Sequence, residues 1–191
     1  MSPRTAEQNA QIRQESKHKI MEAAFKLIVK NGYEATSIAM IAREAGVAKG
    51  LLYNYFSSKQ DLLEQLVYSV IDIGEDNLEH LEVMEPKEAL RLIIQWFFKE
   101  IKEKADHWRL LTQLTMKIER FDFVHKIVID KMHEYIGLLE DLLAKLGYAD
   151  PLGEARLITA LFDGIGIQAL MARDDYHLDE LEQFMLNKYC K

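Results

Sequence analysis

Thr36 to Lys59, TSIAMIAREAGVAKGLLYNYFSSK, is the stretch whose reading decides this chain. Two short apolar-periodic segments flank Gly46, the layout of a helix-turn-helix, whose second helix enters the DNA major groove. Ala42 is small where the two helices must approach closely. Gly46 can take a positive φ at the turn without the penalty of a Cβ. Val47 and Leu52 are apolar and can lock the second helix onto Ile38 and Ile41. That leaves Lys49, Gly50, Leu51, Tyr53, Asn54 and Tyr55 facing outward. Lys49 and Asn54 suit base edges or phosphates. The Tyr53 and Tyr55 hydroxyls can reach phosphate oxygens, Leu51 can pack on a thymine methyl, and Gly50 leaves room for close backbone approach. Thr36 and Ser37 offer hydroxyls and helix-start N–H groups to the opposite strand. Lys59 falls where an ammonium and a helix N-terminus can share one phosphate. Paired amphipathic helices around a glycine also occur in ordinary helical bundles. An exposed Tyr-Asn-Tyr beside lysine is harder to explain that way.

Outward from this stretch, apolar residues recur at helical spacing almost everywhere, with no convincing strand alternation. The spacing predicts an all-α chain of about nine helices: an N-terminal three-helix domain carrying the helix-turn-helix, then a C-terminal helical bundle. The first helix reads as Ser16 to Asn31, with Ile20, Ala23, Ala24, Leu27 and Ile28 on one face and Asn31-Gly32 as its stop. Thr36 or Ser37 caps the second. The third covers Lys49 to Tyr55. Ser58-x-x-Asp61 reads as a capping box for a fourth helix running to about Leu81. Pro86 opens a fifth, Asp106 to Lys117 is the sixth, and Asp122 to Leu146 the seventh. Asp150-Pro151 caps an eighth that reaches Ala172, and Leu178 to Tyr189 is the ninth.

Composition narrows the class. The chain has 191 residues, 49% hydrophobic and 29% charged, with a net charge of −7. These are globular values. No run free of charged residues exceeds nine, as in Gly50–Ser58 and Gly164–Ala172. A membrane span, which needs roughly twenty apolar residues, is therefore not expected. The polar N-terminus lacks the apolar core of a secretory signal. Cys190 is the single cysteine, which excludes an internal disulfide and a cysteine-based zinc site. A reducing cytoplasm is the expected address. The net charge is also uneven: residues 1–65 carry nine basic and seven acidic side chains, so +2, and the remainder carries −9. The first third tolerates a polyanion and the rest repels one.

Gly32-Tyr33, Thr36-Ser37-Ile38, Ile41 to Val47, Lys49-Gly50, Leu52 to Phe56, Lys59 and Leu62-Leu63 together resemble the N-terminal domain of the TetR family of bacterial transcription regulators. The resemblance is dense over Ser16 to Val67. Beyond it, only helix count, length and order are similar. It implies DNA contacts by Thr36, Ser37, Lys49, Tyr53, Asn54, Tyr55 and Lys59, with a DNA-binding domain over residues 14–67 and an effector-binding and dimerisation domain over 68–191. Two positions depart from the family pattern. Ala48 stands where the family often has a serine cap, at a cost of roughly 1 kcal/mol, and Ala39 cannot make a polar base contact. Arg4 and Arg13 read as an arm before the first helix, either solvated or entering an adjacent minor groove.

By the same resemblance the C-terminal part senses a small apolar or amphipathic effector and dimerises. Trp96, Phe97, Trp108, Tyr135 and Phe162 are the candidate pocket residues, although aromatic stripes at helical spacing also serve as plain core. The eighth helix carries Ala160, Leu161, Gly164, Ile165, Gln168 and Ala169 along one side. The ninth offers Leu181, Phe184 and Met185. The family pairs these two helices with their symmetry mates. Two-fold pairing also doubles the readout on a palindromic site.

No catalytic residue, metal site or cofactor is expected. His125 and His133 lie eight residues apart, too far for an i, i+4 ligand pair, and no phosphate loop or nucleophile elbow occurs. The sequence thus predicts a homodimeric, ligand-responsive DNA-binding repressor. The alternative is an activator or architectural DNA binder that senses nothing.

Overall fold

The computed structural model describes residues 5–71, 81–116, 121–172 and 175–190. These residues form nine α-helices and no strand, in two compact units, Met1–Ile71 and Asp72–Lys191.

In the first unit, α1 (Ala6–Asn31) packs on α2 (Ile38–Glu44) and α4 (Lys59–Ile71), and α2 packs on α3 (Lys49–Tyr53). The expected apolar faces converge: Ile20, Ala24, Ile28, Ile41, Leu52, Phe56 and Leu63 are buried. Each large aliphatic side chain so buried contributes about 1.5–3 kcal/mol. Gly32 stops α1 with φ +81°, its N–H donating to the Ile28 carbonyl. Gly46 holds the turn after α2 at φ +67°, the left-handed region that glycine enters without strain.

Two local expectations change. The first helix begins at Ala6, ten residues before Ser16. Thr5 and Gln8 form a reciprocal capping box, the Gln8 N–H donating to Thr5 Oγ1 (3.2 Å) and the Thr5 N–H to Gln8 Oε1 (3.1 Å). No described side chain from Gln8 to Lys19 is buried, so this half of α1 has no apolar stripe to announce it. Arg13 therefore lies on a helix and not in an arm; Arg4 is outside the described residues. At the start of α4 the Asp61 N–H donates to Ser58 Oγ (3.0 Å) as expected. The Asp61 carboxylate, however, reaches back to the Ser57 N–H (2.7 Å) and hydroxyl (2.9 Å), one residue beyond the box. Hydrogen bonds from Gln65 and Ser57 hold that carboxyl below its usual range. The expected ends of helix four at Leu81 and helix six at Lys117 rest on residues 72–80 and 117, outside those described.

In the second unit, α5 (Pro86–Glu103), with Pro86 in its first turn, packs along α7 (Asp122–Lys145) and α9 (Leu178–Tyr189). The helix α8 (Pro151–Ala172) lies along α7 and against α6 (Ala105–Thr115). Leu90, Ile94, Phe98, Leu143, Ala155, Ile158 and Met185 fill the core between them. The Lys102 ammonium, bonded to Asp179 (2.6 Å) and Glu182 (2.7 Å), ties α5 to the start of α9.

The α8 surface differs from the stripe expected of it. Ile165 and Gly166 turn into the core, whereas Leu157, Ala160, Leu161, Gln168 and Met171 are exposed. On α9, Met185 is buried and Phe184 is 66% exposed. By length and composition alone α8 is apolar enough to cross a membrane, unlike the expectation drawn from charge-free runs, and only 22% of its most apolar window is buried. Glu154, Arg156 and Asp163 interrupt it.

Candidate functional site

The five residues of α3 bury a single side chain, Leu52. With that residue anchored, the helix has no choice but to present the others. Lys49, Gly50 and Asn54 are exposed, and Tyr53 is 49% exposed. Leu51 and Tyr55 are half-buried at the edges. Asn54 forms the C-cap, its N–H donating to the carbonyls of Leu51 and Leu52. A Cβ built at Gly50 meets no atom within 4 Å. Among the described residues nothing therefore requires glycine there, and the open surface suits approach by another molecule. At the N-terminus of α3, Ala48 provides no side-chain cap, so the helix depends on Leu52 and its flanking residues.

The other predicted contacts separate into three cases. Ser37 is exposed and caps α2, accepting from the Met40 N–H at 3.2 Å. Thr36 corrects the sequence reading. It is fully buried, and its hydroxyl donates toward the carbonyls of Gly32 (2.9 Å) and Leu27 (3.2 Å). Its N–H donates to the Tyr33 carbonyl. Thr36 thus builds the turn between α1 and α2, and its hydroxyl does not face outward. Lys59 is half-buried, with its ammonium donating to the Tyr33 carbonyl and lying over the Tyr33 ring. Burial pulls that ammonium below the ordinary lysine value, and the charge of Glu34 opposes the shift.

Three partners of this surface escape a sequence reading. Tyr33 meets Lys59 across 26 residues, with no local signal. Arg13 of α1 lies 5.4 Å from the Tyr55 ring centre, and Lys17 lies 5.9 Å from that of Phe56. The i, i+4 spacing of these two cations is the one hint in the sequence that they share a helix face.

In the second unit three of the five aromatic candidates come together. Phe97 stacks on Phe162 with centroids 3.9 Å apart and meets the edge of Trp108 at 5.5 Å. Gly166 makes room for this: a Cβ there would lie 2.8 Å from Trp108 Cε3. Trp96 and Tyr135 are half-buried on α5 and α7 and are not among the side chains packed into that cluster.

A short helix held by one leucine, bearing lysine, asparagine and tyrosines outward behind a glycine turn, defines a helix-turn-helix nucleic-acid reader. Comparison with known proteins makes this specific. Residues 20–66 match the family model of bacterial regulatory proteins of the tetR family. Residues 86–188 match that of the BetI-type transcriptional repressor, C-terminal. The chain belongs to the TetR family of DNA-binding transcriptional regulators. Among its relatives, a fatty acid metabolism regulator protein of Bacillus subtilis is 30% identical over 131 residues, 66% of this chain and 65% of that protein. A transcriptional regulator of Saccharomonospora viridis, solved in complex with choline, shares the fold with a TM-score of 0.79, at 22% identity over 91% of this chain and 95% of its own. The regulator FadR of Bacillus subtilis, solved with stearoyl-CoA, has a TM-score of 0.73 at 24% identity, covering 91% of this chain and 97% of its own.

Proposed function

We propose that this chain is a homodimeric repressor that binds a palindromic operator and releases it when an apolar or amphipathic effector occupies its C-terminal unit. Residues 14–67 read DNA, and residues 68–191 hold the effector and the dimer contact. The observation that carries the reading is the exposure of Lys49, Tyr53 and Asn54 on a helix whose one buried residue is Leu52. Lys49 and Asn54 take base edges, Leu51 a thymine methyl, and Ser37, Tyr53, Tyr55 and Lys59 the phosphates, while Gly50 allows the backbone to come close. One such helix contacts few bases, so two-fold pairing supplies the rest.

The dimer forms through the exposed residues Leu157, Leu161 and Met171 of α8 together with Phe184 of α9. Large apolar side chains left exposed on helix faces in this way suit an interaction surface. The effector enters at the Phe97–Trp108–Phe162 cluster, where closely packed rings provide an apolar lining. A relative that regulates fatty acid metabolism and a structural neighbour solved with stearoyl-CoA support an amphipathic ligand class, while the neighbour solved with choline, a small cation, supplies a second probe. Such a protein works in the bacterial cytoplasm, beside its DNA.

Release is a population shift. An effector moves the equilibrium only by the ratio of its affinities for the DNA-competent state and the alternative state. The test is operator affinity measured with and without stearoyl-CoA or choline as probe. A loss of affinity with either supports induction. Equal operator affinity at saturating concentrations of both, with binding of the probe shown separately, contradicts it.

A further inference from the structure

The geometry points to Arg13 as a positioning residue for the recognition helix, acting through the ring of Tyr55. This rests on the DNA-reading role proposed above and adds a residue from α1 to it. Four observations lead there. The recognition helix is five residues long and has no side-chain N-cap. Its exit, Asn54 to Phe56, is where the chain must be held if Tyr53 and Asn54 are to keep one orientation. Residues Gln8 to Lys19 of α1 bury no described side chain, so the core does not account for this half of the helix. Yet two of its cations, one helical turn apart, lie over two consecutive rings at that exit: Arg13 over Tyr55 and Lys17 over Phe56.

A guanidinium within about 6 Å of an aromatic centroid is attracted by the ring's negative face. Arginine suits this better than lysine, because its planar, weakly hydrated group can lie on the ring without losing its donors. Phe56 is fully buried and cannot move, whereas Tyr55 is half-buried. The Tyr55 ring lies between the fixed Phe56 ring, 6.4 Å away, and the Arg13 guanidinium, so the guanidinium helps to set where its hydroxyl points. The capping box at Thr5, which starts α1 before Arg13, supports the brace by keeping that part of the helix wound.

The experiment measures operator and non-specific DNA affinity, each over a salt series, for the full chain and for Arg13→Ala, Arg13→Lys, Tyr55→Leu and the Arg13→Ala/Tyr55→Leu double variant. Wild-type binding to the operator confirms that the DNA-reading role stands before the variants are judged. The expected result for Arg13→Ala is a loss of operator affinity of about two- to fivefold, the size of an exposed cation–π contact, with the salt slope unchanged. Non-specific affinity stays level, so the specificity ratio falls. In the Tyr55→Leu background Arg13→Ala has no further effect, because the brace has nothing left to hold. Arg13→Lys recovers part of the loss. If Arg13→Ala instead lowers both affinities alike and reduces the salt slope by about one, Arg13 is a direct phosphate contact and the positioning role is wrong. If the two substitutions are additive, or operator affinity is unchanged, it is wrong as well.

Discussion

The ammonium of Lys59 donates to the backbone carbonyl of Tyr33 at 2.5 Å and lies 4.0 Å from the centre of the same residue's ring. A residue at the start of α4 is thereby fastened to the turn that follows α1. The charge belongs to the proposed DNA-reading surface and also helps to hold the turn before α2 in place. Lys59→Ala is expected to reduce the salt slope of DNA binding by about one on every sequence. It is also expected to destabilise the chain by about 1 kcal/mol through the lost bond. Burial lowers the Lys59 pKa, so the folded state binds this proton less tightly than the unfolded chain does. Its contribution to stability therefore increases as pH rises from the folded pKa toward the ordinary lysine value. Melting curves of Lys59→Met against wild type through the alkaline range should show that increment missing in the variant. Parallel curves would contradict it.

The uncapped start of α3 offers a gain of function in stability. Ala48 already has the extended backbone of an N-cap residue, φ −68° and ψ 140°, but no side-chain acceptor. Ala48→Ser supplies one and is expected to stabilise the chain by about 1 kcal/mol, read as a higher midpoint in denaturant. An unchanged midpoint would show that the N–H groups of α3 are already satisfied.

Gly166 tests the aromatic cluster. A methyl group at this position meets the Trp108 ring at 2.8 Å, and the ring, backed by Phe97, cannot yield by rotating a flexible tail. Gly166→Ala should displace Trp108 at a cost of about 1–3 kcal/mol. Tryptophan emission, recorded in a Trp96→Phe background, should shift and the effector response should weaken, while operator binding in the absence of effector persists. An unperturbed emission spectrum together with a wild-type response would remove Trp108 from the proposed site.

Much of the fold could be read in advance because its signals are local. Pro86, Gly46 and the apolar face of α2 each announce themselves within one turn of helix. The exposed face of α3 was legible for the same reason: once Leu52 points inward, Lys49, Tyr53 and Asn54 must point out. The misses have a different physics. The first half of α1 owes its helicity to a capping box and not to burial, so no apolar period marks it. Thr36 looked like a surface hydroxyl because sequence does not show which side of a turn faces the core. Lys59 on Tyr33 and Arg13 on Tyr55 are long-range contacts with no periodic trace. On α8 a nearly continuous apolar sequence concealed which residues, Ile165 or Leu161, face the core.

Those outward side chains of α8 and α9 give the next prediction. Leu161→Glu combined with Phe184→Glu places charge on two exposed positions and should leave each chain folded. Sedimentation should then report a monomer in place of a dimer. Operator affinity should fall by orders of magnitude while single half-site binding survives, because the two readers are no longer linked. A variant that stays dimeric would move the interface elsewhere.

The most direct test of the whole account is selection of bound sequences from a random pool of double-stranded DNA. The enriched sites are expected to be palindromic, with half-sites about 10–10.5 base pairs apart centre to centre or a multiple of that. Lys49→Ala and Asn54→Ala should each alter the preferred bases at their own half-site positions. Enrichment of no sequence, or of the same sequence by wild type and both variants, would contradict the assignment of α3 as the element that reads DNA.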